Sequence, residues 1–186
     1  MFRTEYLALL FGVSEIALGL RKRARRVGGE SRDAGTLRLV WLAIVVAMIG
    51  SILIRERVAL GRFSLGPIQQ IAVLALLIAG IALRWWAIFV LGRFFTVDVA
   101  IHADQHVVSS GPYAVLRHPS YTGALLAFVA IGLTFSSWPA LAVLVIPILA
   151  ALVVRIRVEE RALGGALGDA WHSYAAKTSR LVPFLW

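Results

Sequence analysis

The chain has 186 residues, 60% of them apolar, with a mean hydropathy of +0.82 and a formal net charge of +9. A soluble domain of this length needs more polar surface than that to cover its core. The absence of cysteine excludes disulfides, thiolate metal sites and cysteine nucleophiles. Positive charge on so apolar a chain reads as attraction to anionic lipid headgroups. It does not read as nucleic-acid binding, because no basic, aromatic-interleaved surface domain exists to carry that role.

The charged residues are clumped. None lies between Leu39 and Ile54, between Phe63 and Leu83, or between His118 and Val154. The first two stretches, 16 and 21 residues long, fit the roughly 20 needed to cross a bilayer. The third is about twice as long and suits a helical hairpin. The expectation is an all-α integral membrane protein of one domain, residues 1–186, with five transmembrane helices.

In chain order, the first apolar element runs from Phe2 to Leu20 and is interrupted by Glu5 and Glu15. Its basic cluster follows it, and no small-x-small cleavage site intervenes, so it reads as a helix and not as a signal peptide. Glu15 sits inside the element and is expected to pair with an arginine from another helix. The second element is Leu39 to Ile54, and the third runs from Ile68 to about Leu91, with Arg84 near its end. Next comes "FFTVDVAIHADQHVVSSGPY", where Val97, Val99 and Ile101 alternate with more polar neighbours and Asp104-Gln105 suits a turn. An irregular segment of about twenty residues, too apolar for comfortable disorder, reads as functional. The fourth element begins near Tyr121 and ends by "SSWP". The fifth runs from Pro139 to Val154 and continues as a helix into "RIRVEERAL", with Pro139 in its first turn and a kink expected at Pro147. Gly164 to Gly168 reads as a turn near its end.

Lys and Arg set the orientation. Arg21 to Arg26 with Arg32, then Arg93 and Arg117, then the tail from Arg155 to Arg180 fall on one side. Arg3 and the Arg55–Arg62 loop fall on the other. The N-terminus is therefore expected outside, with the first and third loops and the C-terminus in the cytoplasm. "GPYAVLRHPSYTG" and the tail then share one membrane face.

The chain has no G-x-G-x-x-G after a strand and no G-x-x-x-x-G-K-[ST], so a nucleotide-like cofactor must be held by another design. His102, Asp104 and His106 have a spacing that could serve zinc on a helix, but the pattern is extended and lacks further ligands, so it reads as a polar loop. His172 falls in a surface segment. Pro112 and Pro119 each push the preceding residue out of helical geometry. Arg117 and His118 are thereby held at a helix start, with Ser120 and Tyr121 in the first turn. A helix start offers unpaired N–H groups to an anion, and Arg117 adds permanent charge. The alternative for the same residues is an interfacial anchor, with Arg117 reaching headgroups and Tyr113 and Tyr121 in an aromatic belt. In "RIRVEERAL", Arg155 and Glu159 share a helix face at i,i+4, while Glu160 points about 100° away. The two readings of that pair are a functional ionisable site at membrane depth and an ordinary helix end emerging into water.

"GPYAVLRHPSYTG", followed some forty residues on by "RIRVEERAL" and then by "LGDAWHSY", resembles the isoprenylcysteine carboxyl methyltransferase family. So does the upstream "LGRFFTVDVAIHADQHVVSSGPY". The resemblance covers Leu91 to Trp186, leaving residues 1–90 as transmembrane helices similar only in kind. R-H-P alone is less specific, since membrane sterol reductases and phospholipid methyltransferases carry a similar block. The resemblance implies a helical membrane enzyme using S-adenosylmethionine, with a cytoplasmic-side pocket for it. Carried over, Gln105, His106, Val107, Val108, Tyr113, His118, Pro119, Ser120, Tyr121 and Glu159 would line the cofactor. Arg155 would face the substrate and, with Glu159, carry the catalysis. The substrate implied is lipophilic, by family default a prenylcysteine-like carboxylate, reached from the bilayer among membrane lipids. A carboxylate acceptor is ionised at neutral pH and needs no base. A lipidic phenol, alcohol or amine is the alternative acceptor, and a phenol or alcohol would need a base, with His106 and His118 the candidates. Two other classes compete. A nicotinamide-dependent membrane reductase would need a hydride-donor site and more helices. A non-enzymatic scaffold or transporter would have no cofactor affinity, and a transporter would show paired broken helices, which the sequence lacks.

Overall fold

The computed structural model describes residues 4–23, 35–95 and 104–184. Arg3, the basic loop 24–34 and segment 96–103, with its Val97–Val99–Ile101 alternation and His102, lie outside the described residues. Six α-helices follow one another: α1 Thr4–Arg23, α2 Thr36–Arg57, α3 Pro67–Leu91, α4 Pro119–Thr134, α5 Trp138–Leu167 and α6 Asp169–Ala175. Two 3₁₀ turns, Gly92–Phe94 and Gly111–Ala114, flank the loop between α3 and α4. Among the described residues there is no strand, only two isolated bridges.

Among the described residues three helices are long and apolar enough to cross a membrane: Thr36–Arg57, Pro67–Phe94 (α3 with its 3₁₀ turn) and Trp138–Leu167. The other two expected spans are shorter. At 1.5 Å per residue the 16 residues of α4 reach about 24 Å, less than the ~30 Å of a hydrocarbon core. α1 has 20 residues, and Tyr6–Glu15 is the apolar stretch among those whose side chains are described. On α2, Leu42, Val45, Val46 and Ile49 are exposed, the pattern of a face solvated by lipid.

The helix ends follow local chemistry. Pro67 and Pro119 occupy the first turns of α3 and α4, where a missing N–H carries no penalty. That is why α4 begins at Pro119, two residues before the expected Tyr121. Ser137 caps α5 by accepting a hydrogen bond from the Ala140 N–H at 3.4 Å. Pro147 lies within α5, which continues through it, and the helix carries "RIRVEERAL" as expected. The turn expected over Gly164 to Gly168 shrinks to its last residue. Gly164 and Gly165 stay helical, and only Gly168, at φ +54°, breaks the chain. A Cβ at Gly164 would stand 3.5 Å from the Trp171 ring, an ordinary packing distance, where α6 folds back on α5.

Helix pairs set the architecture. α3 and α4 cross at Gly80 and Gly123: a Cβ on Gly80 would stand 2.7 Å from the Gly123 carbonyl oxygen, and one on Gly123 would stand 2.7 Å from the Arg84 amide nitrogen. Backbones approach this closely only where both residues lack side chains. α2 lies against α5, where the Ser51 hydroxyl donates to the Ala140 carbonyl at 2.9 Å. α1 joins through the Phe11 and Phe128 rings, 5.1 Å apart, and through Glu15. Glu15 accepts both branches of the Arg84 fork at 2.5 and 2.6 Å, which names the arginine partner left open by the sequence. At the end of the bundle carrying the α2–α3 and α4–α5 loops, those loops fasten to each other. Phe63 N–H donates to the Ser136 carbonyl at 3.0 Å, Trp138 N–H donates to that of Gly61 at 3.0 Å, and the Phe63 and Trp138 rings stack 4.7 Å apart.

Candidate functional site

The opposite end of the bundle holds a cavity of about 860 Å³, its open mouth included. Its walls come from four places. Leu91, Phe94 and Phe95 follow α3; Gln105, His106, Val107 and Val108 come from the loop; Tyr113, Arg117, His118, Ser120 and Tyr121 surround the start of α4; Arg155, Glu159, Leu163 and Leu167 line α5, with Trp171 and Tyr174 from α6. Every expected site residue lines it except Pro119. That residue is buried, and its ring, which carries no N–H, serves as the first turn of α4. Leu91, Phe94, Phe95, Leu163, Leu167, Trp171 and Tyr174 were not foreseen. Leu163 and Leu167 had a signal: they continue Arg155 and Glu159 at steps of four along one helix face.

At the centre, α4 and α5 meet through Tyr121. Its hydroxyl donates to Glu159 Oε2 at 2.9 Å and accepts from Arg155 Nε at 2.8 Å. Arg155 is buried, and its Nη1 donates to the Thr36 hydroxyl at 3.1 Å. The His118 ring stacks on Tyr121 with centroids 5.6 Å apart. Its Nδ1 lies 3.8 Å from Glu159 and its Nε2 3.4 Å from Glu160. The loop side is set by His106, which packs edge-on against Phe94 at 4.8 Å, and by an ion pair between Arg93 and Asp104. Among the described residues no three His, Cys, Asp or Glu side chains group to hold a metal.

The two glutamates at the end of "RIRVEE" part company. Glu159 faces the cavity. Glu160 turns away and accepts from Arg117 Nε at 2.8 Å and Arg180 Nε at 2.9 Å. Arg117 is therefore not a free anion hook at the start of α4. Besides Glu160, its guanidinium donates to the carbonyls of Ala175, at 2.6 Å, and Thr178. Its backbone N–H donates to Ser179 at 2.7 Å, the His118 N–H donates to Arg180 at 3.1 Å, and Ser179 N–H returns a bond to Val115 at 3.0 Å. The R-H-P block thus ties the C-terminal segment under the cavity, which the anion and anchor readings both missed. Tyr174 adds a bond from its hydroxyl to the Tyr113 carbonyl at 2.8 Å. Burial, and then the charge of Glu159, push the Tyr113 phenol well above its ordinary range. Burial likewise lifts Tyr174 to about 12. Both stay neutral hydroxyls at physiological pH.

Fold and cavity together define a helical membrane protein with an open-mouthed, mixed polar and aromatic site at one end of the bundle. The chain belongs to the isoprenylcysteine carboxyl methyltransferase family, whose model matches residues 73–164. It is 31% identical over 114 residues to protein-S-isoprenylcysteine O-methyltransferase B of Arabidopsis thaliana, covering 60% of this chain and 58% of that protein. The same plant's protein-S-isoprenylcysteine O-methyltransferase A is 30% identical over 114 residues, with the same coverage of 60% and 58%. The cobalt-zinc-cadmium resistance protein CzcN of Cupriavidus metallidurans is 27% identical over 146 residues, covering 78% of this chain and 63% of CzcN. The matched stretch therefore spans only about three fifths of these relatives' length.

Proposed function

We propose that the chain is an S-adenosylmethionine-dependent methyltransferase acting on a lipophilic membrane substrate, with O-methylation of a prenylcysteine-like carboxylate as its reaction. The observation that carries this reading is the junction of α4 and α5 at Tyr121, which sets Glu159, Arg155 and His118 around one cavity. Membership of the family supplies the class of reaction.

The lining suits the cofactor's groups. Glu159 would take the ammonium or ribose hydroxyls through charge-assisted hydrogen bonds. Gln105, His106 and Ser120 offer polar contacts to the carboxylate, and Val107 and Val108 an apolar wall. Bound there, S-adenosylmethionine supplies an electrophilic methyl group. The chain's own contribution is placement: in-line transfer gains most from holding the reacting atoms in near-attack geometry. Arg155 orients an acceptor carboxylate, which is already ionised at neutral pH and needs no base. Leu91, Leu163, Leu167 and Trp171 give the cavity an apolar side that suits a lipid tail. By the distribution of Lys and Arg, the site faces the cytoplasm.

A second acceptor class, a lipidic phenol, alcohol or amine, is favoured by one observation. His118 lines the cavity with Glu160 against its Nε2 at 3.4 Å, an arrangement that suits an imidazole taking up a proton.

Calorimetry on detergent-purified protein tests the reading. S-adenosylhomocysteine should bind, NADPH should not, and Glu159→Ala should abolish the binding. Unchanged affinity in that variant counts against the assignment. Membranes incubated with methyl-labelled cofactor should then yield one labelled lipid or prenylated cysteine. Base-labile methanol release from the product would mark an ester and exclude the amine reading.

A further inference from the structure

Thr36, the first residue of α2, belongs to the part of the chain that neither the family match nor the motifs reach. It is nonetheless buried and touches the site. Its hydroxyl accepts from Arg155 Nη1 at 3.1 Å, while Tyr121, from α4, accepts from Arg155 Nε at 2.8 Å. A guanidinium is planar, so partners on two of its nitrogens, drawn from two helices, fix its plane as well as its position. Losing the Thr36 acceptor would leave the charge of Arg155 in place but loosen that aim.

Thr36 also sits in register. α2 and α5 run antiparallel, and polar ties between them join Ser51 to Ala140 and Thr36 to Arg155. The step between ties is fifteen residues on both helices. The Ser51 bond thus sets the height at which Thr36 meets Arg155. We propose that Thr36 is a positioning residue: it fixes the guanidinium of Arg155 toward the cavity and makes α2 part of the substrate-orienting machinery. The proposal rests on the methyltransferase reading, in which Arg155 faces the acceptor.

The test compares wild type, Thr36→Val and Thr36→Ser. Val keeps the shape and removes the hydroxyl; Ser restores it. Three readouts are taken: S-adenosylhomocysteine affinity, methyl transfer to an N-acetyl S-prenylcysteine, and solvent exchange of the Arg155 Nε–H. The last is followed by NMR of arginine-labelled protein, with the signal assigned by its loss in Arg155→Lys. Thr36→Val should lower kcat/KM roughly ten- to a hundredfold, the range expected from one hydrogen bond to a charged group. Cofactor affinity should hold within about twofold and Arg155 exchange should speed up, with Thr36→Ser close to wild type in all three. Unchanged turnover and exchange in Thr36→Val would overturn the proposal. So would a parallel loss of cofactor binding and turnover, which marks a merely structural tie. If wild type itself transfers no methyl group to this acceptor, the acceptor reading fails on its own, and the exchange readout still decides whether Thr36 holds Arg155.

Discussion

Tyr121 does the work of two contacts through one oxygen: it receives from Arg155 and gives to Glu159. Tyr121→Phe should therefore cost more than its burial change implies, because it leaves Arg155 without one acceptor and Glu159 without one donor at once. S-adenosylhomocysteine affinity should fall about tenfold or more by calorimetry, and a Tyr121→Phe/Glu159→Gln cycle should be non-additive. Glu160 predicts the opposite division. It compensates Arg117 and Arg180 and touches His118, so Glu160→Ala strands charge in a partly buried site. Breaking such a pair costs about 3–5 kcal/mol, toward the lower end here because Arg180 is 34% exposed. Thermal unfolding in detergent should register that loss first. At this scale the sequence was informative where spacing alone decides direction, as with Arg155 and Glu159 on one face and Glu160 off it. It was silent on Thr36, whose partner lies 119 positions away. Nothing about a threonine beside Gly35 distinguishes it from an ordinary helix start.

Among the elements, α3 and α4 carry the most exposed assumption of the fold: the glycine crossing at Gly80 and Gly123. It brings the Arg84 guanidinium to the Ser120 hydroxyl and carbonyl, each at 3.2 Å, and so links the Glu15 ion pair of α1 to a residue on the cavity wall. A side chain at Gly80 would collide with backbone atoms, which cannot swing aside. Gly80→Val should destabilise by about 1–3 kcal/mol, and Gly80→Leu by more. Cofactor binding should weaken with it, since Ser120 and Tyr121 ride on the displaced helix. Charge-free runs made the helices legible, and Pro119 and Ser137 made their starts nearly so. Which helices pair was not legible. An isolated glycine in an apolar run reads as a tolerated weak spot until a second glycine is seen to face it across the crossing. Counting uncharged residues from His118 to Val154 measures two helices and their turn together, and it conceals how short α4 is.

At the scale of the molecule, the chain's two distant motifs close one site because the C-terminal segment is stitched to the R-H-P block. Carbonyls of Ala175, Thr178, Ser179 and Arg180 accept from Arg117 and His118, and the Leu181 carbonyl accepts from Thr122 at 2.8 Å. Truncation after Lys177 should therefore abolish S-adenosylhomocysteine binding, although it removes none of the cavity-lining side chains. A retained affinity would show that the stitching is dispensable. Composition disclosed the apolar class of the molecule, and charge asymmetry predicted that these motifs share an end. The main-chain bonds that join them leave no trace in side-chain pattern. The opposite end has its own consequence. There the Gly61–Phe63 and Ser136–Trp138 loops are buttoned together by two main-chain hydrogen bonds and a ring pair. A bundle pinched shut at one extremity and hollow at the other should spread as a wedge about the pinch. Entry to the cavity should then be easiest at the hollow extremity, and spin labels near the buttoned loops should keep their separation while those beside the cavity do not.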